Sequence, residues 1–189
     1  MQDFENRKHA LARLLYTLSY REGDFVLASG RRSSYYFDCR VTALHAEGSW
    51  LIGSLFLDLL KDRPIKGVGG MTMGADPLVS ATTVLSHQAG RPLHGLLVRK
   101  EAKDHGLGQY VEGMGNFAKG DRVAVLEDVV TTGGSVLKAC ERLKGAGLNL
   151  DCVLAILDRE EGGRAKLAEM GYELISLFTR QELLEYARQ

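Results

Sequence analysis

The sequence of 189 residues has no excess of either charge, few cysteines and no long apolar run. Lysine and arginine number 24, and aspartate and glutamate also number 24, so no bulk positive field attracts nucleic acid or an anionic membrane. Any anion-binding site must therefore be local. The apolar fraction of 45% is that of an ordinary soluble globular protein. The length suits one domain with a sizeable core, so we expect a single domain over residues 1–189.

The three cysteines are scattered along the chain, and none belongs to a C-x-x-C pair. We expect reduced and mostly buried thiols at Cys39, Cys140 and Cys152, not a disulfide or a metal site. Four histidines lack a mutual metal-ligand spacing and are expected at the surface or at helix ends: His9, His45, His87 and His94.

Targeting and membrane signals are also lacking. The opening "MQDFENRKHA" mixes acids and bases and has no basic region followed by an apolar stretch, so we expect no signal peptide. The longest apolar segment, "LIGSLFLDLL", is too short to span a bilayer and contains Asp58. We therefore expect a cytoplasmic protein without a membrane partner.

The first third of the chain predicts a small unit separate from the core. Leucines 11, 14, 15 and 18 recur at helical spacing, which predicts an amphipathic helix over roughly residues 4–20. Two β-prone patches, Phe25–Leu27 and Tyr35–Phe37, flank a Gly-Arg-Arg-Ser turn and predict a hairpin. We expect these elements, at about residues 20–40, to form a hood over the core. A second helix, "AEGSWLIGSLFLDLL", follows.

From residue 65 onward, short apolar runs alternate with helical stretches. The runs "IKGVGG", "PLHGLLV", "RVAVLED", "CVLAILD" and "YELISLF" are typical of strands buried on both faces. Helices are predicted at about 76–89, 135–146, 163–169 and 179–188, the last opening with the capping-box spacing of Thr179 and Glu182. The fold class is therefore α/β, with a central, mostly parallel sheet flanked by helices and a core at about 46–178.

Residues 123–135, "VAVLEDVVTTGGS", combine a buried strand, two acids and a loop of hydroxyls and glycines. Free backbone N–H groups at a helix start, with small residues that allow close approach, can hold a phosphate. No lysine follows the glycines, so the loop is not a Walker A motif. Glu127 and Asp128 would repel a bare phosphate, but ionised carboxylates accept hydrogen bonds strongly from ribose-type hydroxyls. A sugar phosphate fits both halves, and a plain strand-turn-helix connection fits less well.

Two further loops follow predicted strands, where ligands of open parallel sheets bind. The stretch "GVGGMTMGADP" nearly matches G-x-G-x-x-G but has Thr72 in place of the third glycine, so an anion site and a plain turn before Pro77 are about equally supported. Residues 98–113, "VRKEAKDHGLGQYVEG", place four basic side chains within seven positions, with Gly106 and Gly108 allowing movement. The segment 99–120 has no helix period and is predicted to be a loop that closes over a polyphosphate. Its basic residues are Arg99, Lys100, Lys103 and His105.

These motifs together resemble a known family. The acidic pair followed by "TTGGS" is similar to the phosphoribosyl-pyrophosphate (PRPP) signature of the type I phosphoribosyltransferases. "RKEAKDHG" with the trailing "VEG" resembles the catalytic loop of the orotate phosphoribosyltransferases, "SGRRSSYYFD" their hairpin and "DREEGG" a strand end near the base. The resemblance covers nearly the whole chain in the family's order.

The resemblance implies Mg²⁺-dependent transfer of ribose 5-phosphate from PRPP to orotate, giving orotidine 5′-monophosphate and pyrophosphate in pyrimidine (UMP) biosynthesis. It also implies a homodimer in which the basic loop closes over the neighbouring subunit's site. The catalytic residues carried over are Lys103, Asp128, Arg99 and His105. The PRPP-binding residues carried over are Arg99, Lys100, Lys103, His105, Glu127, Asp128, Val129, Val130, Thr131, Thr132, Gly133, Gly134 and Ser135. The orotate-binding residues carried over are Thr131, Arg159, Tyr36 and Phe37.

No direct protein ligand is expected for Mg²⁺, which PRPP and water would mainly hold. Lys103 and His105 can stabilise the leaving pyrophosphate by charge or by proton donation, and the sequence leaves both interpretations open. Many relatives have lysine where this chain has Ala28 and Gly74, which leaves substrate affinity open. Two alternative functions remain: transfer to a purine or another base, and PRPP sensing without catalysis. The neutral net charge and the intact basic loop favour the enzyme.

Overall fold

The structure, a computed structural model, describes residues 2–26, 32–101 and 110–188. Helix α1 (Gln2–Leu14) continues into a π-helical turn, Leu15–Ser19, and leads to the strands β1 (Tyr20–Val26) and β2 (Arg32–Phe37). The helices α2 (Cys39–Ala43) and α3 (Ala46–Leu60) follow. The predicted first helix is confirmed, although it begins two residues earlier and its last turn is wider than an α-helix.

The core alternates strands and helices as predicted. Its elements in chain order are β3 (Gly67–Met71), α4 (Asp76–Gln88), β4 (His94–Val98), β5 (Val111–Glu112), a 3₁₀ turn (Met114–Asn116), β6 (Arg122–Val130), α5 (Gly134–Gly145), β7 (Asn149–Asp158), α6 (Gly163–Glu169), β8 (Leu174–Thr179) and α7 (Arg180–Arg188). The capping box at the last helix is confirmed, because Thr179 N–H donates to Glu182 Oε2 at 2.7 Å and Glu182 N–H donates to Thr179 Oγ1 at 3.3 Å.

The six core strands form one sheet in the order β5-β4-β3-β6-β7-β8. Every neighbouring pair is parallel except β4 and β5, which are antiparallel. The predicted α/β fold with a mostly parallel sheet is thus confirmed. Residues 110–120 were predicted to be loop, but they contain β5 and the 3₁₀ turn. A two-residue strand carries too little periodicity for the sequence to reveal it.

Side chains from β6 alternate between two hydrophobic clusters, one on each face of the sheet. Ala124 and Leu126 pack with α1, α3 and α4, whereas Val123 and Val125 pack with α5 and α6. Burial of both faces explains why these strands read as continuous apolar runs. Among the described residues, no helix combines the length and hydrophobicity needed to cross a bilayer.

The hairpin of β1 and β2 is antiparallel and separate from the core sheet, as the hood prediction required. Tyr35 of β2 fixes the hairpin to the core, because two guanidinium groups of the core lie over its ring. The Cζ atoms of Arg180 and Arg159 lie 4.1 and 4.9 Å from the ring centroid. The hairpin therefore lies near the carboxyl ends of β7 and β8.

The position of the site follows from the strand order. After β3 the chain crosses to β4 on one side and later returns to β6 on the other side of β3. Loops that leave β3 and β6 consequently diverge and open a crevice at the carboxyl ends of these strands, where ligands of open α/β sheets bind.

Candidate active site

A cleft of about 610 Å³ opens at the carboxyl ends of β3 and β6, below the hairpin. It brings together residues from all three predicted loops and from the hood. Its lining comprises Tyr36, Phe37, Asp38, Arg40, Met71, Thr72, Met73, Gly74, Lys100, Glu127, Asp128, Val129, Thr131, Ser135 and Arg159. The four residues predicted for the base, Tyr36, Phe37, Thr131 and Arg159, all belong to this set.

The two acids lie at the centre of the cleft in different environments. Glu127 is 6% exposed, and its Oε1 accepts the backbone N–H of Asp128 at 3.2 Å. Burial, followed by the charge of Asp128, raises the pKa of Glu127 well above its usual value. Asp128 is half-buried, and its Oδ1 accepts the N–H of Val129 at 2.8 Å. Thus one carboxylate is shielded from water and its neighbour faces the opening.

The loop after β3 lies directly against the acidic pair. A Cβ atom added at Gly74 would lie 3.0 Å from Asp128 Oδ1, which is tighter than an ordinary carbon contact. The glycine therefore lets the two loops approach, and the weak motif "GVGGMTMGADP" does contribute to the site. The peptide bond between Thr72 and Met73 in this loop is cis.

The loop from Thr131 to Ser135 forms a second, smaller cavity of about 60 Å³ that extends from Glu127 to the start of α5. Gly133 has φ of +77° as the residue before the helix, a conformation that favours glycine. The cavity is lined by Glu127, Val129, Val130, Thr131, Thr132, Gly133, Gly134, Ser135 and Val136. Backbone N–H groups at the start of a helix can bind an anion small enough to enter this cavity.

Gly163, at the beginning of α6, supports this loop from behind. Its N–H donates to the carbonyl of Thr131 at 2.9 Å, and an added Cβ would lie 2.5 Å from that oxygen. Only glycine permits this approach, so the "GG" of "DREEGG" has a structural reason. The fully buried Asp158 stabilises the same turn by accepting from Arg164 Nε and from the N–H of Glu160, each at 2.9 Å.

Arg159, predicted to bind the base, follows β7 and contacts both the hood and the cleft. Its Nε lies 2.9 Å from Glu161 Oε1, and its guanidinium stacks near the Tyr35 ring. Tyr36 is 40% exposed and lies beside Phe25, with ring centroids 5.7 Å apart. An aromatic surface and an ion-paired guanidinium therefore both line the cleft.

The structure describes only the ends of the basic segment. Arg99 N–H donates to the carbonyl of Tyr110 at 2.8 Å, and its guanidinium pairs with Glu112 Oε1 at 3.2 Å. Lys100 lines the cleft, whereas Arg99 is not among the lining residues. Lys103 and His105 lie outside the described residues, so their predicted roles stay predictions. Ala28 also lies outside them.

Arg142 lies on α5, the helix that follows the loop of residues 131–135 (the phosphate loop), and it connects this helix to both ends of the basic segment. Its guanidinium donates to the carbonyl of Arg99 and, at 3.0 Å, to that of Lys100. Its Cζ also lies 4.2 Å from the centroid of the Tyr110 ring. No sequence pattern indicates this role of Arg142, because its partners are more than 30 positions away.

Replacement of Arg142 by alanine is expected to lower the free energy of unfolding by about 1–3 kcal/mol, since charge-assisted hydrogen bonds and a cation–π contact are lost together. Denaturant unfolding measures this. Lys138→Ala, an exposed position on the same helix, is the matched control and should leave the stability nearly unchanged. Equal stability of both variants would contradict the anchoring role.

Asp38 and Arg40 also line the cleft, although sequence reasoning passed over them. They directly follow the hairpin in "YYFDCR", and a charged pair at the start of a helix was the available signal. All three cysteines are free and buried, as predicted. Burial raises the pKa of Cys140 and of Cys152 to about 12, so both thiols are protonated at neutral pH.

Comparison with known proteins agrees with this geometry. No family model matches the chain. Among curated proteins, it is 48% identical to an orotate phosphoribosyltransferase of Thermosynechococcus vestitus, with 95% of this chain and 94% of that protein covered. It is 45% identical to the orotate phosphoribosyltransferase of a Synechocystis strain, with 95% and 89% covered. The chain belongs to the orotate phosphoribosyltransferase family.

Solved structures of the orotate phosphoribosyltransferase family have the same fold. That of Mycobacterium tuberculosis in complex with Fe(III) dicitrate has a TM-score of 0.82 and 36% identity, covering 94% of this chain and 98% of that one. The same enzyme in complex with PRPP has a TM-score of 0.78 and 33% identity over 94% and 98%. The predicted fold, family and enzyme class, a pentosyltransferase, are confirmed.

Proposed function

We propose that this chain transfers ribose 5-phosphate from PRPP to N1 of orotate, forming orotidine 5′-monophosphate and pyrophosphate. The observation that carries the proposal is the meeting of the acidic pair, the phosphate loop, the hairpin aromatics and Arg159 around one cleft. A cleft of about 610 Å³ lies within the usual range for a small-molecule site.

The donor is bound through both ends of its sugar. The amides and hydroxyls from Thr131 to Ser135 bind the 5′-phosphate, as the small cavity at the start of α5 allows. Asp128 and Glu127 accept hydrogen bonds from the ribose hydroxyls. The carboxylates also lie beside the ring that becomes positive when the C1–oxygen bond to pyrophosphate breaks, so they stabilise that charge.

The acceptor lies between the hairpin and Arg159. Tyr36 and Phe37 supply the apolar surface and Thr131 a hydroxyl, while the guanidinium presents fixed donors to the acceptor oxygens of the base. The bond from N1 of orotate to C1 forms as the bond to pyrophosphate breaks; N1 gives up its proton to solvent, and the electron pair of the broken bond leaves with the pyrophosphate. Arg99, Lys100, Lys103 and His105 stabilise the negative charge that develops there.

The cleft fits Mg²⁺ that arrives with the substrate. Carboxylate oxygens are the ligands that this ion prefers, but Asp128 and Glu127 are too few to complete an octahedral shell. Within the described ranges, no cluster of three or more potential ligand side chains can hold a metal ion. Diphosphate oxygens and water would supply the remaining ligands, and the bound ion would neutralise charge on the leaving group.

The protein works as a homodimer in the cytoplasm, with active sites shared between subunits. Apolar side chains are exposed on α2, the turn after it, α3, the β3–α4 loop and α4, and the three helices contact one another. They are Val41, Leu44, Trp50, Met73 and Val84, each at least half exposed. A patch of this kind supports burial against a second copy, and Met73 also lines the cleft.

Leu44→Glu is expected to convert the dimer to a monomer, because Leu44 is 74% exposed on this patch and a buried unpaired charge is costly. Size-exclusion chromatography with light scattering measures the mass. Met170→Glu, 56% exposed at the end of α6, is the control and should stay dimeric. A wild-type monomer at micromolar concentration would contradict the dimer.

The proposed activity is tested by mixing the protein with PRPP, Mg²⁺ and orotate and following the loss of orotate absorbance. Turnover of orotate, without turnover of hypoxanthine or adenine, is expected. Activity with a purine instead would overturn the choice of base. Tight PRPP binding without turnover of any base would favour the sensor.

A further inference from the structure

A third cation lines the substrate cleft beside Lys100 and Arg159. Arg40, the second residue of α2, lies in the wall that also contains Tyr36 and Asp128. It has no part in the roles assigned above. The contacts of this partly exposed guanidinium restrict what it can bind.

A bidentate ion pair holds the guanidinium in place. Arg40 Nε donates to Asp38 Oδ1 at 2.8 Å, and Nη2 donates to Asp38 Oδ2 at 2.7 Å. Asp38 is fixed in turn, because its Oδ1 accepts the backbone N–H of Arg40 at 3.1 Å as the N-cap of α2. Two parallel bonds set the plane of the guanidinium as well as its position.

This arrangement leaves one nitrogen available. The ion pair uses Nε and Nη2, and among the described residues none accepts a hydrogen bond from Nη1. The side chain is 47% exposed, so Nη1 is not shut inside the protein. A planar guanidinium held by a carboxylate on one edge presents fixed donors to a second oxyanion on the other.

The charges nearby agree with such a role. Hydrogen bonding to Asp38 raises the pKa of Arg40, with smaller contributions from the charges of Asp38, Tyr36 and Asp128. Arg40 is therefore cationic and close to both the predicted base-binding tyrosine and the acid beside C1. Arg159 pairs with Glu161 much as Arg40 pairs with Asp38, so Arg40 adds to the cleft a fixed donor, Nη1, where anionic groups of both substrates must meet.

We propose that Arg40 is a substrate-binding residue whose Nη1 binds an oxyanion at the reaction centre, either the carboxylate of the acceptor or the diphosphate of the donor. This inference rests on the proposed function, since it takes the cleft as the site of phosphoribosyl transfer. It assigns to Asp38 the role of a positioning residue for that guanidinium.

Steady-state kinetics of Arg40→Gln and Arg40→Lys test the inference. The KM values for orotate and PRPP are measured in the forward reaction, and that for pyrophosphate in the reverse reaction. Arg40→Gln is expected to raise the affected KM by about ten- to a hundredfold, because one hydrogen bond to a charged group is lost. Arg40→Lys keeps the positive charge and should recover part of the affinity that Arg40→Gln loses. Arg13→Gln, an exposed position on α1, is the matched control.

The pattern of KM changes identifies the oxyanion. A rise confined to orotate assigns Arg40 to the carboxylate, and a joint rise for PRPP and pyrophosphate assigns it to the diphosphate. Unchanged KM values for all three in folded Arg40→Gln, beside an active wild type, overturn the inference and leave the proposed function standing. A wild type inactive with orotate overturns the proposed function itself. If Arg40→Gln fails to fold, Arg40→Lys decides. Lysine lacks the planar guanidinium, so unchanged KM values in folded Arg40→Lys would count against the inference.

Discussion

Lys103→Ala is expected to lower turnover by about 10²–10³-fold, the usual effect of removing one well-placed donor to a developing anion. The bond that breaks releases pyrophosphate, and the ammonium of Lys103 stabilises the charge that leaves. Stopped-flow measurement of orotate loss under saturating substrates reports the change. Lys119→Ala, an exposed lysine outside the cleft, is the control and should retain wild-type turnover.

The fold should survive, because a basic side chain in a charged, glycine-rich segment contributes little to the core. Circular dichroism and the melting temperature check this. Turnover of Lys103→Ala within about threefold of the wild type would remove the lysine from the chemistry, since a hydrogen bond to a charged group is usually worth about 1.5–3 kcal/mol, or more than tenfold.

Glu127→Gln is expected to stabilise the fold and to impair the enzyme. Burial and the adjacent Asp128 raise the pKa of Glu127. As pH rises above the usual glutamate pKa of about 4.3, the unfolded chain loses this proton before the folded chain does. The free energy of unfolding therefore falls until the pH passes the raised pKa, and the lost stability is not regained at higher pH.

A glutamine at position 127 has no proton to lose, so the variant should exceed the wild type in unfolding free energy at neutral pH. The difference should shrink as pH falls toward the usual glutamate pKa. Urea unfolding at several pH values measures this difference, with Glu169→Gln, at an exposed position on α6, as the control. A difference that grows on acidification would contradict the assigned direction.

The same substitution is expected to lower kcat/KM by roughly ten- to a hundredfold, because an amide replaces the carboxyl group that accepts hydrogen bonds from the ribose hydroxyls. Mixing inactive Lys103→Ala with Glu127→Gln subunits adds a test of shared sites. Each mixed dimer rebuilds one of its two sites if the loop serves its neighbour. Since about half of the dimers in a random one-to-one mixture are mixed, the mixture should recover about a quarter of the wild-type activity. No recovery would place loop and cleft in one subunit.

Local patterns were sufficient for the architecture. Alternating apolar runs and helical stretches predicted the parallel sheet, because strands buried on both faces appear in the sequence as continuous apolar runs. Ligands of open parallel sheets bind at the carboxyl ends of the strands, so the acidic pair and the loop at Gly74 were predicted to lie at the same edge of the sheet. In the structure, a Cβ atom added at Gly74 would lie 3.0 Å from Asp128 Oδ1. Neighbouring strand ends meet regardless of how far apart they lie in the sequence.

Contacts between distant segments were beyond the same reasoning. Arg142 binds carbonyls 42 and 43 positions away, and nothing in its own helix indicates those partners. Arg40 follows a predicted hairpin, but its place in the cleft depends on how the hood sits over the core. Strand β5 is too short to produce a pattern. The roles of Lys103 and His105 still rest on the resemblance of their segment.

The most direct test of the whole account is a crystal structure of the protein with PRPP and Mg²⁺. The account predicts the 5′-phosphate among the amides from Thr131 to Ser135, with the ribose hydroxyls within hydrogen-bonding distance of Asp128 and the diphosphate directed toward the β3–α4 loop. A donor bound elsewhere, with nothing between Glu127 and Ser135 at saturating concentration, would contradict it.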